Sequence, residues 1–498
     1  MHVSYQTNSK RKETKMKPPI YYGLMKYIAK QRTLFNSPGH KGKVRMRADN
    51  LGRIDLPLFT TSGETANPQS FVAQSEEEVA AIFGASKSFF LTGGTAAGIY
   101  AMLASVCAAG DKVIVDSECD KSVIHAITLL SLRPVFIKRS YCSKYSINGG
   151  INTEELVYTA EKHHDAKAIL ITSPTYYGVC ANIRKAAEIA GKSNMFLLVD
   201  ESLGAHFNFS NESPESAVVC GADMVVHSTS KTLGSFCGSG LLHVISNSID
   251  PQSVRDFLDI YQGSSVSTAM LCAAENAIHY AFKNSKKYQA IFKEIERGKQ
   301  LINTNTDLLW FDSEYNNGCD IDEIDATRIV LNFSQVSISG ISVAKILSEK
   351  YAIEPDSADN DNVVFSVSLY NTPSEIRRLV NACYTIAKLV SPAPPKEVDE
   401  ELLNPSAVIR SKISVKVPPN KAFYCESEFV HFMDSAGRIC RKMIYRIPQE
   451  TPLLIPGEKI TVAHIDKISK ILEHGGCLSG LSPNEEIEVL SLSDSFYF

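Results

Sequence analysis

The apolar positions fall into short, dense runs between residues 88 and 245. They lie at Ser88–Leu91, Lys112–Val115, Pro134–Lys138, Ala168–Thr172, Phe196–Asp200, Met224–Ser228 and Gly240–Ile245. Most are separated by stretches long enough for a helix. This alternation predicts an α/β fold with a mostly parallel sheet covered by helices on both faces. Upstream, apolar residues at 21, 24, 25 and 28 predict a short amphipathic helix within 20–35, and 70–83 reads as another. Between them, Phe35–Gly42 is a turn-rich loop that reads either as plain surface or as part of an active-site rim. Downstream comes a helix-rich stretch over 250–303. A second α/β pattern then follows: strand Arg328–Phe333, helix Ile341–Lys350, strand Val363–Leu369 and helix Ser374–Leu389. Ser391-Pro392-Ala393-Pro394-Pro395 reads as a stiff linker. The last hundred residues read as another small unit, with a turn at Pro452–Glu458. The expected organisation is a disordered tail (1–16), an N-terminal arm (17–62), a large domain (63–310), a small α/β domain (311–395) and a C-terminal unit (396–498). Met16 is an alternative start.

Composition narrows the function classes. The 498 residues carry a net charge of −4, which gives no reason to expect nucleic acid or an anionic membrane as partner. The twelve cysteines are scattered without a CxxC, which argues against structural zinc and for free thiols in a reducing, cytoplasmic setting. The basic N-terminus lacks the apolar core of a secretory signal, and no apolar run approaches the roughly 20 residues of a membrane span.

The candidate chemistry sits at the ends of the apolar runs, where ligands of such sheets bind. Val225-Val226-His227-Ser228-Thr229-Ser230-Lys231 leaves a buried run and reaches a lysine. That lysine is either solvated in a loop or a Schiff-base lysine for pyridoxal phosphate (PLP). Thr92-Gly93-Gly94-Thr95-Ala96-Ala97-Gly98 is an ordinary strand–helix turn or a phosphate cradle. Asp200 is a helix cap, a metal ligand or the partner of a cation; in a PLP site it holds the pyridine nitrogen protonated, with Ser202 near one ring face.

The order of these pieces resembles the aspartate-aminotransferase fold type of PLP enzymes. A closer match rests on Pro38-Gly39-His40-Lys41, Thr172–Gly178, Asp200-Glu201 with Gly204-Ala205-His206-Phe207, Ser228-Thr229 with Lys231–Gly234, and Pro452–Glu458. These blocks resemble the ornithine/lysine/arginine decarboxylase family, in its shorter branch without an N-terminal receiver-like domain, over about 17–480. The resemblance implies PLP fold type I with a seven-stranded sheet and small C-terminal α/β domains. It implies PLP on Lys231, Asp200 on the pyridine nitrogen, and Gly94, Thr95, the amide of Ala96, Ser202 and Ser228 around the cofactor. It also implies His206 among the catalytic groups, and Ser264 or Ser265 reaching the phosphate of a neighbouring subunit in a homodimer or larger assembly. Glu428 falls at a family glutamate near the substrate entrance.

Several positions depart from the family. Asp120 stands where a histidine stacks on the ring. Ser230 replaces the histidine before the lysine, and Ser202-Leu203 replaces Ala-His. Gly263-Ser264-Ser265-Val266 stands for Thr-Thr-Ser-Pro, and Ile447-Pro448-Gln449-Glu450 for Tyr-Pro-Pro-Gly. The cofactor anchors survive while the substrate-facing groups change, so Asp120, Ser230 and Glu428 are the candidate substrate residues. Asp120 is expected to face the cofactor rather than cap the helix that follows it. The expected activity is decarboxylation of a basic or related amino acid. Another PLP reaction on the same scaffold and a non-catalytic PLP-binding protein are the alternatives. The strand Val363–Val367 lacks the arginine by which aminotransferases clamp a carboxylate, which favours decarboxylation.

Overall fold

A computed structural model describes residues 25–43, 54–56, 70–263, 266–313, 318–393, 414–447, 449–473 and 475–491. The expected tail, Ser264 and Ser265 lie outside these. All seven apolar runs are strands of one sheet: β1 (Lys87–Leu91), β2 (Lys112–Asp116), β3 (Arg133–Ile137), β4 (Ala166–Thr172), β5 (Phe196–Asp200), β6 (Met224–His227) and β7 (Gly240–Val244). Their order across the sheet is β1-β7-β6-β5-β4-β2-β3. The pairings from β6 through β3 are parallel, while β7 runs antiparallel to both β6 and β1. The runs are mostly apolar because both faces are covered. Val113, Ile114 and Val115 of β2, and Leu197, Leu198 and Val199 of β5, are fully buried.

Local signals set the helix ends. Helix Phe71–Phe83 starts where Ser70 Oγ accepts from Ala73 N (3.1 Å) and stops at Gly84 with φ 78°. Helix Pro373–Leu389 opens on a capping box between Thr372 and Glu375. The expected helix over 20–35 is helical at residues 25–28, but Thr33–Leu34 is a strand parallel to Ile353–Glu354. Gln31, at φ 47°, turns the chain out of the helix between them.

A smaller antiparallel sheet packs beside the first. It comprises β8 (Leu309–Trp310), β9 (Arg328–Asn332), β10 (Ser357–Ala358) and β11 (Asn362–Ser366), in the order β8-β9-β11-β10. One core runs from Phe35 and Phe83 through Tyr288 to Phe365 and Ile386, joining both sheets. The C-terminal residues form their own core around Ile444, Ile460 and Val489. The Pro452–Glu458 stretch begins as a strand, Pro452–Leu454, before it turns.

A polar chain crosses the core of the large sheet. Ser216 Oγ (2.6 Å) and Ala217 N (2.8 Å) donate to Glu201, whose Oε2 lies 2.6 Å from His227 Nε2. His227 Nδ1 meets His243 Nε2 at 3.1 Å, and His243 Nδ1 meets Ser88 Oγ at 2.7 Å.

Candidate active site

Three strand ends lie side by side at the head of the large sheet. Thr172 closes β4 opposite Asp200, which closes β5 and pairs on its other side with Val226 of β6. After β6 the chain makes one wide helical turn, Thr229–Leu233, begun by Ser228 Oγ accepting from Lys231 N (3.3 Å). The Pro38–Gly42 loop packs behind this turn. Gly39 N donates to Ser230 O (2.7 Å), and a Cβ on Gly39 would meet Lys231 O at 2.8 Å, so only glycine fits. Lys41 is buried there, donating to Asn36 O (2.6 Å) and Ser366 O (2.8 Å), and burial pulls its ammonium down to about 7. The loop is therefore a brace behind Lys231 rather than plain surface.

Lys231 borders a small cavity of about 40 Å³, with Asp120, Thr172, Asp200, Ser202 and Gln449 among its walls. Asp200 Oδ1 accepts from Ser202 N (3.0 Å) and from Ser202 Oγ, while no described residue bonds its Oδ2. Burial, then the charge of Asp120, pushes the Asp200 carboxyl above its ordinary value; Ser202 and Lys231 pull the other way. Thr172 Oγ1 and Gln449 Oε1 are buried without a partner. At helix Gly94–Val106, Gly93 makes no side-chain cap, Gly94 N donates to Gly238 O (2.7 Å), and the amides of Thr95 and Ala96 have no partner among the described residues. Free first-turn amides on the positive end of a helix suit a phosphate.

The remaining expected residues divide. Asp120 borders the cavity, yet it also caps: Oδ1 accepts from Ser122 N (2.8 Å) and Ser122 Oγ (2.5 Å). The expectation that it would leave the cap is corrected, because the N–H groups opening helix Lys121–Leu129 are the nearest donors it has. His206 does not border the cavity. It is buried, with Nε2 at 3.1 Å from Thr327 Oγ1 and 3.3 Å from Asp325 Oδ1, and its ring lies among Phe207 and Tyr288. Its catalytic assignment is therefore corrected to a tie between the two sheets. Ser230 is buried within the turn, its Oγ at 3.0 Å from Ser228 Oγ. Glu428 lies on strand Ser427–His431, paired with Arg438 and away from the cavity.

The sequence profile described as "Orn/Lys/Arg decarboxylase, major domain" matches residues 18–317. The chain belongs to this family. It is similar to the arginine decarboxylase of Bacillus subtilis (strain 168), at 28% identity over 465 residues covering 92% of this chain and 94% of that one. It shares its fold with the lysine decarboxylase of Francisella novicida, at TM-score 0.74 and 17% identity, covering 95% of this chain and 81% of that one. The constitutive lysine decarboxylase of E. coli matches at TM-score 0.73 and 18% identity, covering 95% and 82%. Members of the family are PLP-dependent amino-acid decarboxylases. The residues present fit that cofactor: an open carboxylate oxygen on Asp200, unbonded amides at Thr95 and Ala96, and a lysine bordering the same cavity.

Sequence reasoning passed over Glu118, Thr172 and Gln449 as site residues, although all three border the cavity. Thr172 had the same signal as Asp200, a polar residue ending a buried strand. Gln449 was flagged only as part of the Ile447–Glu450 departure from the family, and its place in the cavity depends on how the C-terminal unit docks.

Proposed function

We propose that this protein decarboxylates a basic amino acid (lysine, ornithine or arginine) or a related one, with PLP on Lys231. The observation that carries the reading is the cavity lining. Among the described residues, its acids are Glu118, Asp120 and Asp200, its one cation is Lys231, and no arginine borders it to clamp a carboxylate for transamination. When bound, PLP supplies the electron sink for the pair released as the bond from Cα to the carboxylate breaks. Asp200, through Oδ2, holds a proton at the pyridine nitrogen; a cation there also offsets the burial that raises its own carboxyl. Ser202 orients Asp200 through Oδ1. The amides of Thr95 and Ala96, with Ser228 Oγ, hold the phosphate. Lys231 is the group that returns a proton to Cα. Leu203 and Pro174 narrow the cavity and keep water from the reacting carbon.

The reading is tested by incubating the holoenzyme with lysine, ornithine and arginine and balancing CO2 against amine. Stoichiometric amine and CO2 are expected; a 2-oxo acid in their place would overturn it. Borohydride reduction and peptide mapping should label the peptide that holds Lys231. A homodimer with shared sites belongs to the same proposal and is read by sedimentation. So does a cytoplasmic setting, in line with twelve cysteines that form no disulfide among the described residues. Among the described residues, no helix is long and apolar enough to cross a membrane.

A further inference from the structure

Two more cavities, of about 170 and 310 Å³, adjoin the space before Lys231 and share lining residues with it or with each other. Gln449 is the one described residue that borders all three. Its turn is latched to the helix behind Asp120: Lys121 N donates to Glu450 O (3.0 Å), and Lys121 Nζ meets Glu450 Oε1 at 2.6 Å. Glu450 N also donates to Arg446 O (2.8 Å). These contacts place Gln449 without using its side chain, and its Oε1 is left buried and unbonded. A buried carbonyl oxygen without a donor is costly unless a ligand supplies one. The same inner cavity is bordered by Glu118, which accepts from Asn148 Nδ2, and by Asp120. Arg446 and Lys467 border the two outer cavities, whereas among the described residues the only cation bordering the inner one is Lys231. A ligand reaching the inner cavity therefore meets acceptors and negative charge beyond Lys231, and the matching group is a cation rich in N–H donors.

We propose that Gln449 is a specificity-determining residue: its Oε1 accepts an N–H from the side-chain ammonium or guanidinium of the substrate, with Glu118 as counter-charge. The inference rests on the decarboxylase reading above and adds the residue that selects within it. Proline, which the family carries in this turn, offers no such acceptor.

The test measures kcat/KM of the holoenzyme on lysine, arginine and the neutral analogue norleucine, for wild type, Gln449→Leu and Gln449→Glu. The leucine variant should lose roughly 10-fold or more on the cationic substrates relative to norleucine. The glutamate variant should retain or raise activity on them. Parallel changes on all three substrates, or a glutamate variant that falls as the leucine variant does, would overturn the proposal. A wild-type enzyme that releases CO2 from none of them sinks the decarboxylase reading instead. The contact is then tested by calorimetric titration with cadaverine and n-pentylamine. Preference for the diamine in wild type, lost in Gln449→Leu, supports the contact; equal preference in both proteins refutes it.

Discussion

Asp200 and Glu201 are neighbours in sequence, and both are almost fully buried. Their side chains leave the end of β5 for different surroundings. Asp200 has one oxygen tied to Ser202 and one open toward Lys231 and the cavity. Glu201 has every contact filled from within the fold, by Ser216, Ala217 and His227. Burial pushes the Glu201 carboxyl up to about 8 and the His227 imidazole down to about 3, and holds His243 well below its ordinary value. With Glu201 protonated and both rings neutral, Glu201 donates to His227, His227 to His243, and His243 to Ser88. This assignment uses each ring nitrogen once and leaves no net charge in the core. Burial alone therefore does not mark a functional carboxylate. The mark is an unfilled hydrogen-bonding position beside a space that a ligand can enter.

The largest effect should separate the two residues. Asp200→Asn is expected to fold as wild type does and to lose roughly 100-fold or more in kcat, measured in the CO2 assay beside a thermal melt. Near-wild-type turnover would remove Asp200 from the chemistry. Glu201→Ala is expected to do the reverse: a loss of about 2–5 kcal/mol from the cavity left and the neutral hydrogen bonds of Ser216, Ala217 and His227 left unmet, read from urea unfolding, with activity per folded molecule kept within about tenfold. A stable but inactive Glu201→Ala would erase the contrast. A third prediction concerns pH. The folded chain keeps the Glu201 proton up to about 8, whereas the unfolded chain releases it near 4.5. The folded state thus binds more protons between those values, and this contribution to stability shrinks as pH rises through that window. Urea midpoints of wild type and Glu201→Gln across pH 4.5–8 should therefore shift steadily in favour of the variant, by up to about 1.4 kcal/mol per pH unit; a constant difference would mean Glu201 is ionised throughout. The smallest effect is expected at Asp120. Replacing it by His removes a helix cap and should cost about 1 kcal/mol, whereas Asn, itself a good cap, should cost almost nothing in the same melts.

Much of the fold was legible because strands buried on both faces are mostly apolar, and β1 to β7 follow that rule, with the buried Ser88, His227 and His243 satisfying one another. Asp200 and Lys231 stood out for the matching reason: each is a charge at or just past the end of such a run. Thr172 was harder to see, since a β-branched residue belongs in a strand for packing reasons as readily as for chemistry. His206 was misplaced because its partner Asp325 lies 119 residues further on, and no local pattern discloses that tie. The hairpin Arg139–Cys142 with Ile147–Ile151 was hidden too. It is held by Arg139, which is buried against Asp116 at 2.6 Å and donates to Gly149 O at 3.1 Å, and a lone arginine in a short polar stretch announces none of this. Gln449 and Glu118 sit in loops whose meeting is decided by docking, not by periodicity.

The latch between Lys121 and Glu450 spans 329 residues of chain, and this has a consequence for how the molecule is made. A ribosome completes the cofactor half of the pocket, from Thr95 to Lys231, well before it polymerises the wall that Gln449 supplies. At roughly 5–20 residues per second, the interval between Lys231 and Gln449 is about 10 to 40 s. During that time the nascent chain has a place for the cofactor and an open side toward the substrate. The pocket gains its last wall only after Gln449 has been made and the turn that holds it has docked.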